Sequence, residues 1–382
     1  MRKVILILGC LVLVNGLVFC QENVVEKAKI EKVWEVKFDT EVRDFFISPD
    51  NENILVNTIN GERIILSKEG KIRKKRKGKW GRFLGKREFI LNTAGEVEDE
   101  KGNILMRIPV GSAESEQKII SPQGNYIAYV PSFGANFDFI EMYETNKGSL
   151  LWKYKEELKG EPMIVSFISE NYLAAFANGK IIVFDTQTGK VIWEKSLTNK
   201  TVFFGDLLSC SDDGQVAVYS MSENTIYSLN KEGNIMWRYV GERTGSPIFQ
   251  NMFLSPSGEM LIAIGKDITA FNNRTGKILW KIEEYQPKRT WSDSVIFPSD
   301  KNYIFISGLL QEAKKEKVMF EKCRIYIVSK DGNILDQIES NFTLATTVPG
   351  IIKLMKDGKT LIVKEKAAIY CLKIKKVSTN EH

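Results

Sequence analysis

The chain has a single histidine, His382, at its last position. Ser–His–Asp and Cys–His catalysis need an imidazole base held in an ordered pocket. Imidazole-based zinc or iron sites need more than one. The residue count removes both. The five cysteines are Cys10, Cys20, Cys210, Cys323 and Cys371, with no adjacent pair, no Cys-x-x-Cys and no metal-ligand spacing. The last three read as small buried thiols; a disulfide between two of them is the alternative in an oxidising compartment. No glycine-rich phosphate loop of either common spacing occurs. The stretch SDDGQ, Ser211–Gln215, carries acids but lacks the alternating oxygen ligands and distal acid of a calcium loop, so it reads as a tight turn. With 48 acids a paired-carboxylate glycosidase stays open as a minor reading. No catalytic residue, metal site or cofactor is expected, and the chain is read as a non-enzyme.

The elements around these residues repeat. VFDTQTGKVIW (Val183–Trp193), AFNNRTGKILW (Ala270–Trp280), YETNKGSLLW (Tyr143–Trp152) and SLNKEGNIMW (Ser228–Trp237) share an apolar strand, a polar turn ending in Gly, and a strand carrying Trp. Degenerate copies place turn glycines at Gly70, Gly102, Gly148, Gly189, Gly233, Gly276 and Gly332, spaced 32 to 56 residues apart and averaging about 44. A second signal interleaves with the first: ISPDNENILV, ISPQGNYIAYV, CSDDGQVAVY and LSPSGEMLIAI are each strand, turn, strand. Four strands per period is a propeller pattern. First strands are expected near Asp44, Arg82, Gln117, Met163, Asp206, Asn251, Ser294 and Gly350. The expectation is an all-β fold: one eight-bladed β-propeller of four-stranded antiparallel blades, with seven blades as the alternative. Lys32–Phe38 is a last strand without its first three, and the C-terminal unit lacks its fourth. Pairing the two closes the ring and removes an open edge. Trp34, Trp152, Trp193, Trp237 and Trp280, with Gly148, Gly189, Gly233 and Gly276, are assigned to packing between blades.

Residues 1–20 read as a signal peptide, with Arg2 and Lys3 ahead of an apolar run to Phe19. Cleavage after Cys20 is the main reading. A lipid anchor on Cys20 and a retained anchor are the alternatives; Phe19 stands where a lipoprotein signal wants a small residue. Residues 21–30 are taken as a linker, 31–376 as the propeller and 377–382 as a disordered tail. The location is then periplasmic or secreted. The formal charge of +6 is concentrated in Lys71–Lys79, KIRKKRKGK, which holds seven positive charges. That run reads as a solvated outer strand, or as contact with anionic lipid or another polyanion that would bring the protein near a membrane. Nucleic acid is not an expected partner, and a monomer is expected.

The match of Ala270–Trp280 and Val183–Trp193 to Ala-x-Asp/Asn-x-x-Thr-Gly-x-x-x-Trp resembles the PQQ-like β-propeller repeat family over about residues 31–376. The resemblance is closer to the BamB-like non-enzymatic branch than to the quinoprotein dehydrogenases. Those enzymes carry a vicinal Cys–Cys pair and extra segments that this sequence lacks. The resemblance implies a protein- or peptide-binding scaffold, in envelope assembly for the BamB-like members. A small-ligand or saccharide-binding propeller is the alternative, followed by a PQQ-dependent or carboxylate-based enzyme.

Alternating strand direction puts the first–second and third–fourth connections on one face of the ring. The other two kinds emerge on the opposite face, where the longer loops are expected, among them Gly308–Lys322. Long loops on a rigid scaffold carry binding residues, and aromatic and Arg side chains anchor interfaces. Arg289, Trp291, Arg243, Phe203, Phe204 and Trp80 are the candidate partner-binding residues on that face. The competing reading makes them caps on the ends of the core.

Overall fold

The computed structural model describes residues 27–84, 89–99, 101–108, 117–130, 139–155, 163–177, 179–198, 207–241, 248–265, 267–283, 294–297, 303–314, 317–341, 352–355 and 357–377. Every regular element among them is a β-strand. The chain enters through β1 (Lys27–Lys37), whose start lies inside the stretch expected to be a linker. It then lays down consecutive four-stranded antiparallel sheets. Sheet I is β2 (Val42–Ile47), β3 (Asn53–Thr58), β4 (Glu62–Ser67) and β5 (Ile72–Lys77). Sheet II is β6 (Gly81–Leu84), β7 (Phe89–Asn92), β8 (Glu96–Glu98) and β9 (Ile104–Arg107). Sheet III is β10 (Gln117–Ile120), β11 (Tyr126–Val130), β12 (Phe139–Glu144) and β13 (Ser149–Lys155). Sheet IV is β14 (Ile164–Phe167), β15 (Tyr172–Ala177), β16 (Lys180–Asp185) and β17 (Val191–Ser196). Sheet V is β18 (Leu207–Cys210), β19 (Val216–Ser220), β20 (Thr225–Leu229) and β21 (Ile235–Val240). Sheet VI is β22 (Phe249–Leu254), β23 (Met260–Gly265), β24 (Ile268–Asn272) and β25 (Ile278–Ile282). Sheet VII is β26 (Ser294–Ile296), β27 (Tyr303–Lys314), β28 (Lys317–Ser329) and β29 (Ile334–Asn341). Sheet VIII is β30 (Ile352–Leu354), β31 (Thr360–Glu365) and β32 (Ala368–Val377), with β1 paired to β32 as its fourth strand. The observed first strands begin within two residues of the expected positions.

Burial explains the sequence pattern. The second and third strands of a sheet are covered on both faces, so they read as continuous apolar runs and not as alternation. All six residues of β3 and all five of β19 and of β20 are buried. The fourth strands are largely exposed. Each apolar core lies between two successive sheets. One joins Ala128, Ile140 and Met142 of sheet III to Leu173, Ile182 and Phe184 of sheet IV. Another joins Phe45, Ile54 and Ile64 of sheet I to Met355, Ile362 and Cys371 of the C-terminal sheet.

The fourth strands carry a feature that the repeat pattern does not announce. Val183 pairs with Trp193 while Phe184 pairs with Val191, so Ile192 is an extra, bulged residue. The same irregularity sits before Trp34, Lys74, Met106, Trp152, Trp237, Trp280 and Asp336. Without a bulge, residues 191 and 193 would share a face. With it, Val191 packs toward sheet III and Trp193 toward sheet V. The bulge is the device that turns each strand's Trp to the next sheet, and it leaves Ile192 and Leu279 about half exposed.

One further point differs from the sequence reading. Gly308–Lys322, expected as a long loop, is mostly strand: β27 and β28 pair from Tyr303↔Ser329 to Lys314↔Lys317, making a hairpin that extends beyond its sheet. The cysteines at Cys210 and Cys371 are free thiols. Burial pushes Cys210 up to about 12 and Cys371 up to about 11. Thiolate is the reactive form, so neither is expected to alkylate in native protein at mildly alkaline pH. Iodoacetamide labelling with peptide mapping, native against urea-unfolded, checks this. Rapid native labelling at either position would contradict the packing.

Candidate binding face and the seams beneath it

The turn motif is a set of local hydrogen bonds. In sheet IV the Asp185 carboxylate accepts from the Thr188 amide at 2.8 Å and the Thr188 hydroxyl at 2.7 Å. Those bonds, led by the hydroxyl, hold its pKa low. Asn272 does the same for Thr275. The turn closes on a glycine with positive φ: Gly189 at 69° and Gly276 at 71°. The second reason for glycine is the neighbour. A Cβ on Gly189 would lie 2.7 Å from the Trp152 indole, and one on Gly233 2.7 Å from Trp193. Trp237 covers Gly276, Trp280 covers Gly332, Trp34 covers Gly70, and Met106 takes the Trp position over Gly148. Each indole N–H also donates to the backbone of the turn it covers. Trp34 reaches Lys68 O at 3.0 Å, Trp152 Thr186 O at 2.7 Å, and Trp193 Lys231 O at 2.8 Å. Trp237 reaches Asn273 O at 2.6 Å and Trp280 Lys330 O at 2.8 Å. The five repeat tryptophans are therefore fully engaged in holding sheet to sheet.

The SPDG-type turns on the same face are equally closed. The Ser211 hydroxyl donates to the Asp213 carboxylate and accepts from the Gln215 amide, and Gln215 Nε2 donates to Asp213 at 2.6 Å. SDDGQ is thus a self-satisfied turn. Among the described residues no group of His, Cys, Asp and Glu is arranged to hold a metal ion.

On the opposite face, Trp80 lies in the connection from β5 to β6. Its N–H donates to Thr58 O at 2.8 Å, and the Arg43 guanidinium lies 3.3 Å from its ring centroid. Trp80 is half-buried, so it caps the end of sheet I and offers a stacked Arg–Trp pair beside the loops. Arg43 is a residue that the sequence reading missed; an Arg inside a strand carries no motif. Asp44 beside it accepts from Asn57 Nδ2 and lies 3.8 Å from Arg43 Nε. Burial raises its pKa, against the pull of Asn57 and the neighbouring cations. Lys364 donates to Arg43 O at 2.7 Å. The other five candidates, Arg289, Trp291, Arg243, Phe203 and Phe204, lie outside the described residues.

The basic run is an edge strand, β5, and much of its charge is engaged. Lys75 pairs with Glu62 at 3.2 Å, Arg76 with Glu98 at 3.2 Å and Lys79 with Glu96 at 3.1 Å. Arg73 donates to Asn53 at 2.8 Å. This favours the solvated outer strand over a free polycationic patch.

The family profile described as "Outer membrane protein assembly factor BamB" matches residues 137–376, more than half of the chain. The chain belongs to this family of PQQ-like repeat propellers. Among solved structures it is similar to BamB from Moraxella catarrhalis, at 14% identity and a TM-score of 0.60, covering 90% of this chain and 100% of that one. That likeness concerns the fold. No curated protein matches the sequence. Four of the glycine-docked tryptophans, Trp152, Trp193, Trp237 and Trp280, lie within the matched span, while Trp34, Trp80 and Arg43 lie before it.

Proposed function

We propose that this protein is an exported, non-enzymatic propeller scaffold that binds a protein or peptide in envelope assembly, working in the periplasm as a monomer. The family match is the observation that carries the reading, because its description is that of an assembly factor. The ring we envisage has eight blades, with β1 completing the blade of β30–β32. Signal-peptide cleavage after Cys20 is the proposed route out, with an acylated Cys20 as the variant form. The working face is the one bearing the longer loops, with Trp80 and Arg43 at its described edge and Arg289, Trp291, Arg243, Phe203 and Phe204 completing it. A stacked Arg–Trp pair on the face of the longer connections suits an interface anchor.

In-cell cross-linking followed by affinity purification tests this, comparing wild type with Arg289→Ala/Trp291→Ala and with Arg43→Ala. Specific envelope proteins recovered with the wild type and reduced at least about tenfold in the variants are the expected result. An unchanged set of partners from folded variants would place the interface elsewhere. Recovery of none with the wild type would remove the scaffold reading.

A further inference from the structure

The hairpin of β27 and β28 outruns the rest of sheet VII. β26 pairs with β27 only from Ser294↔Ser307 to Ile296↔Phe305, and β29 leaves β28 at Asn341↔Lys322. The hairpin ladder continues past both, from Gly308↔Arg324 to Lys314↔Lys317. Among the described residues no third strand joins Gly308–Lys314 or Lys317–Glu321. A two-stranded ribbon is marginal on its own in water and gains stability from a third strand. The chain enters β26 at the end of the sheet from which the hairpin projects, and the candidate residues Arg289 and Trp291 stand just before that entry in the sequence. The ribbon therefore rises on the face of the longer connections.

Its two edges differ. Leu310 pairs with Lys322 and Gln311 with Phe320, so Glu321 is an extra residue on β28. Bulges and lysines are the usual guards of a strand edge, because a bulge bends the strand and ends regular pairing along it. β27 has no such extra residue from Gly308 to Lys314. Its outer edge presents backbone N–H and C=O groups from alternate residues. The register also sorts the ribbon into two faces. Leu309, Gln311 and Ala313 share one with Val318, Phe320 and Cys323, and none of these is charged. On the other, Lys314, Lys317 and Lys322 stand against the single acid Glu312.

We propose that the β27 edge of this ribbon takes up an extended partner segment as a third strand, and that the segment alternates apolar with acidic residues. Backbone pairing along Gly308–Lys314 supplies the affinity. Alternation supplies the selectivity, with apolar residues on the uncharged face and acids on the face of the lysines. This mode of capture rests on the scaffold reading above and gives the partner its chemistry.

The full chain titrated by calorimetry with a capped peptide alternating Glu and Val, long enough to span Gly308–Lys314, is the test. Saturable binding is expected. A peptide of the same composition in two blocks loses the alternation, and one N-methylated at alternate residues loses the donors of its pairing edge. Each should bind about tenfold weaker or less. Lys314→Glu/Lys322→Glu should weaken the Glu–Val peptide about tenfold and favour its Lys–Val counterpart. An Asn-Gly turn in place of residues 311–321, closed on the Leu310↔Lys322 pair, should abolish binding. No saturable binding by the wild type, or equal binding of the N-methylated peptide or by the shortened variant, overturns strand addition. Unchanged affinity after the charge reversal overturns the acidic assignment. Dimerisation of the wild type in sedimentation, lost on shortening, would make a second copy the occupant instead. Partners recovered from cells with the wild type and undiminished with the shortened variant overturn the capture role while leaving the scaffold reading standing. Should the shortened variant not fold, the N-methylated peptide and the charge reversal still decide it.

Discussion

Replacing Glu98 by Ala should destabilise the protein by about 3–5 kcal/mol, the range for breaking a buried ion pair from one side. Glu98 and Arg63 are 7% and 4% exposed. The pair is bidentate, Arg63 Nη1 to Oε1 at 3.0 Å and Nη2 to Oε2 at 2.7 Å, and it joins β4 of sheet I to β8 of sheet II. Arg76 and Asn92 complete the carboxylate's shell at 3.2 and 2.8 Å. Removing the carboxylate leaves two guanidinium groups facing each other with nothing between them. Arg63 Nε already lacks a partner among the described residues. A midpoint shift in urea unfolding with an unchanged slope measures the effect. Arg63→Met/Glu98→Met should recover much of the loss, since an apolar replacement of both partners is often near neutral.

The pH dependence has a defined sign. Burial alone would raise the Glu98 pKa, but the Arg63 and Asn92 hydrogen bonds and the charges of Arg63 and Arg76 outweigh it, and the group ends below its ordinary value. A lowered carboxylate contributes stability above its unfolded pKa and loses it as pH falls through the folded one. Wild type should therefore lose this increment on acidification below about pH 4.5, and Glu98→Ala should show a flatter acid limb. A stability difference between the two that stays constant down to acid pH would rule out the ion pair as its source.

This seam also accounts for part of the basic run. Sheet I has Lys74 at the position where five of the other fourth strands have Trp, so no indole covers the next turn glycine, Gly102. The guanidinium of Arg76 lies there instead, 2.7 Å from where a Cβ on Gly102 would stand. Charge has replaced an aromatic wedge. Composition could show that KIRKKRKGK is basic. It could not show that Arg76 faces Glu98, because that contact spans 22 residues with no shared motif. The same limit hid Arg43 over Trp80. The repeat tryptophans and turn glycines were legible, because each unit restates the same backbone requirement and the copies correct one another. The bulge was half-legible: two consecutive aliphatics before Trp152, Trp193 and Trp280 break the two-residue period, but only pairing shows which one is extra. The long β27–β28 hairpin escaped because a charged stretch with few turn residues scores as a loop, while its backbone bonds hold it as strand.

Trp237→Ala should cost about 2–4 kcal/mol, less than truncating a fully buried aromatic, because the ring is half-buried. The seam between sheets V and VI concentrates aromatic contact. Trp237 stacks on Phe271 at 5.8 Å between centroids and 22° between planes, and Tyr239 meets the same ring edge-on at 5.1 Å. Phe249 meets both Phe271 and Tyr219. Truncation also strips the carbonyl of Asn273 of its indole donor. The Asn273 side chain ties the two sheets together, donating to Gln215 Oε1 at 2.7 Å and to Gly258 O at 3.0 Å and accepting from the Ser228 hydroxyl at 2.8 Å. A cycle with Gly276→Ala separates packing from backbone strain. In wild type that change meets two penalties, a φ of 71° and a Cβ 2.8 Å from the indole. With the indole gone only the conformational penalty remains, about 1–2 kcal/mol. The two substitutions should therefore be less costly together than their separate costs imply, with a coupling of about 1 kcal/mol or more. Simple additivity would mean that the ring and the turn do not touch, and that strand pairing alone holds the neighbouring sheets in register.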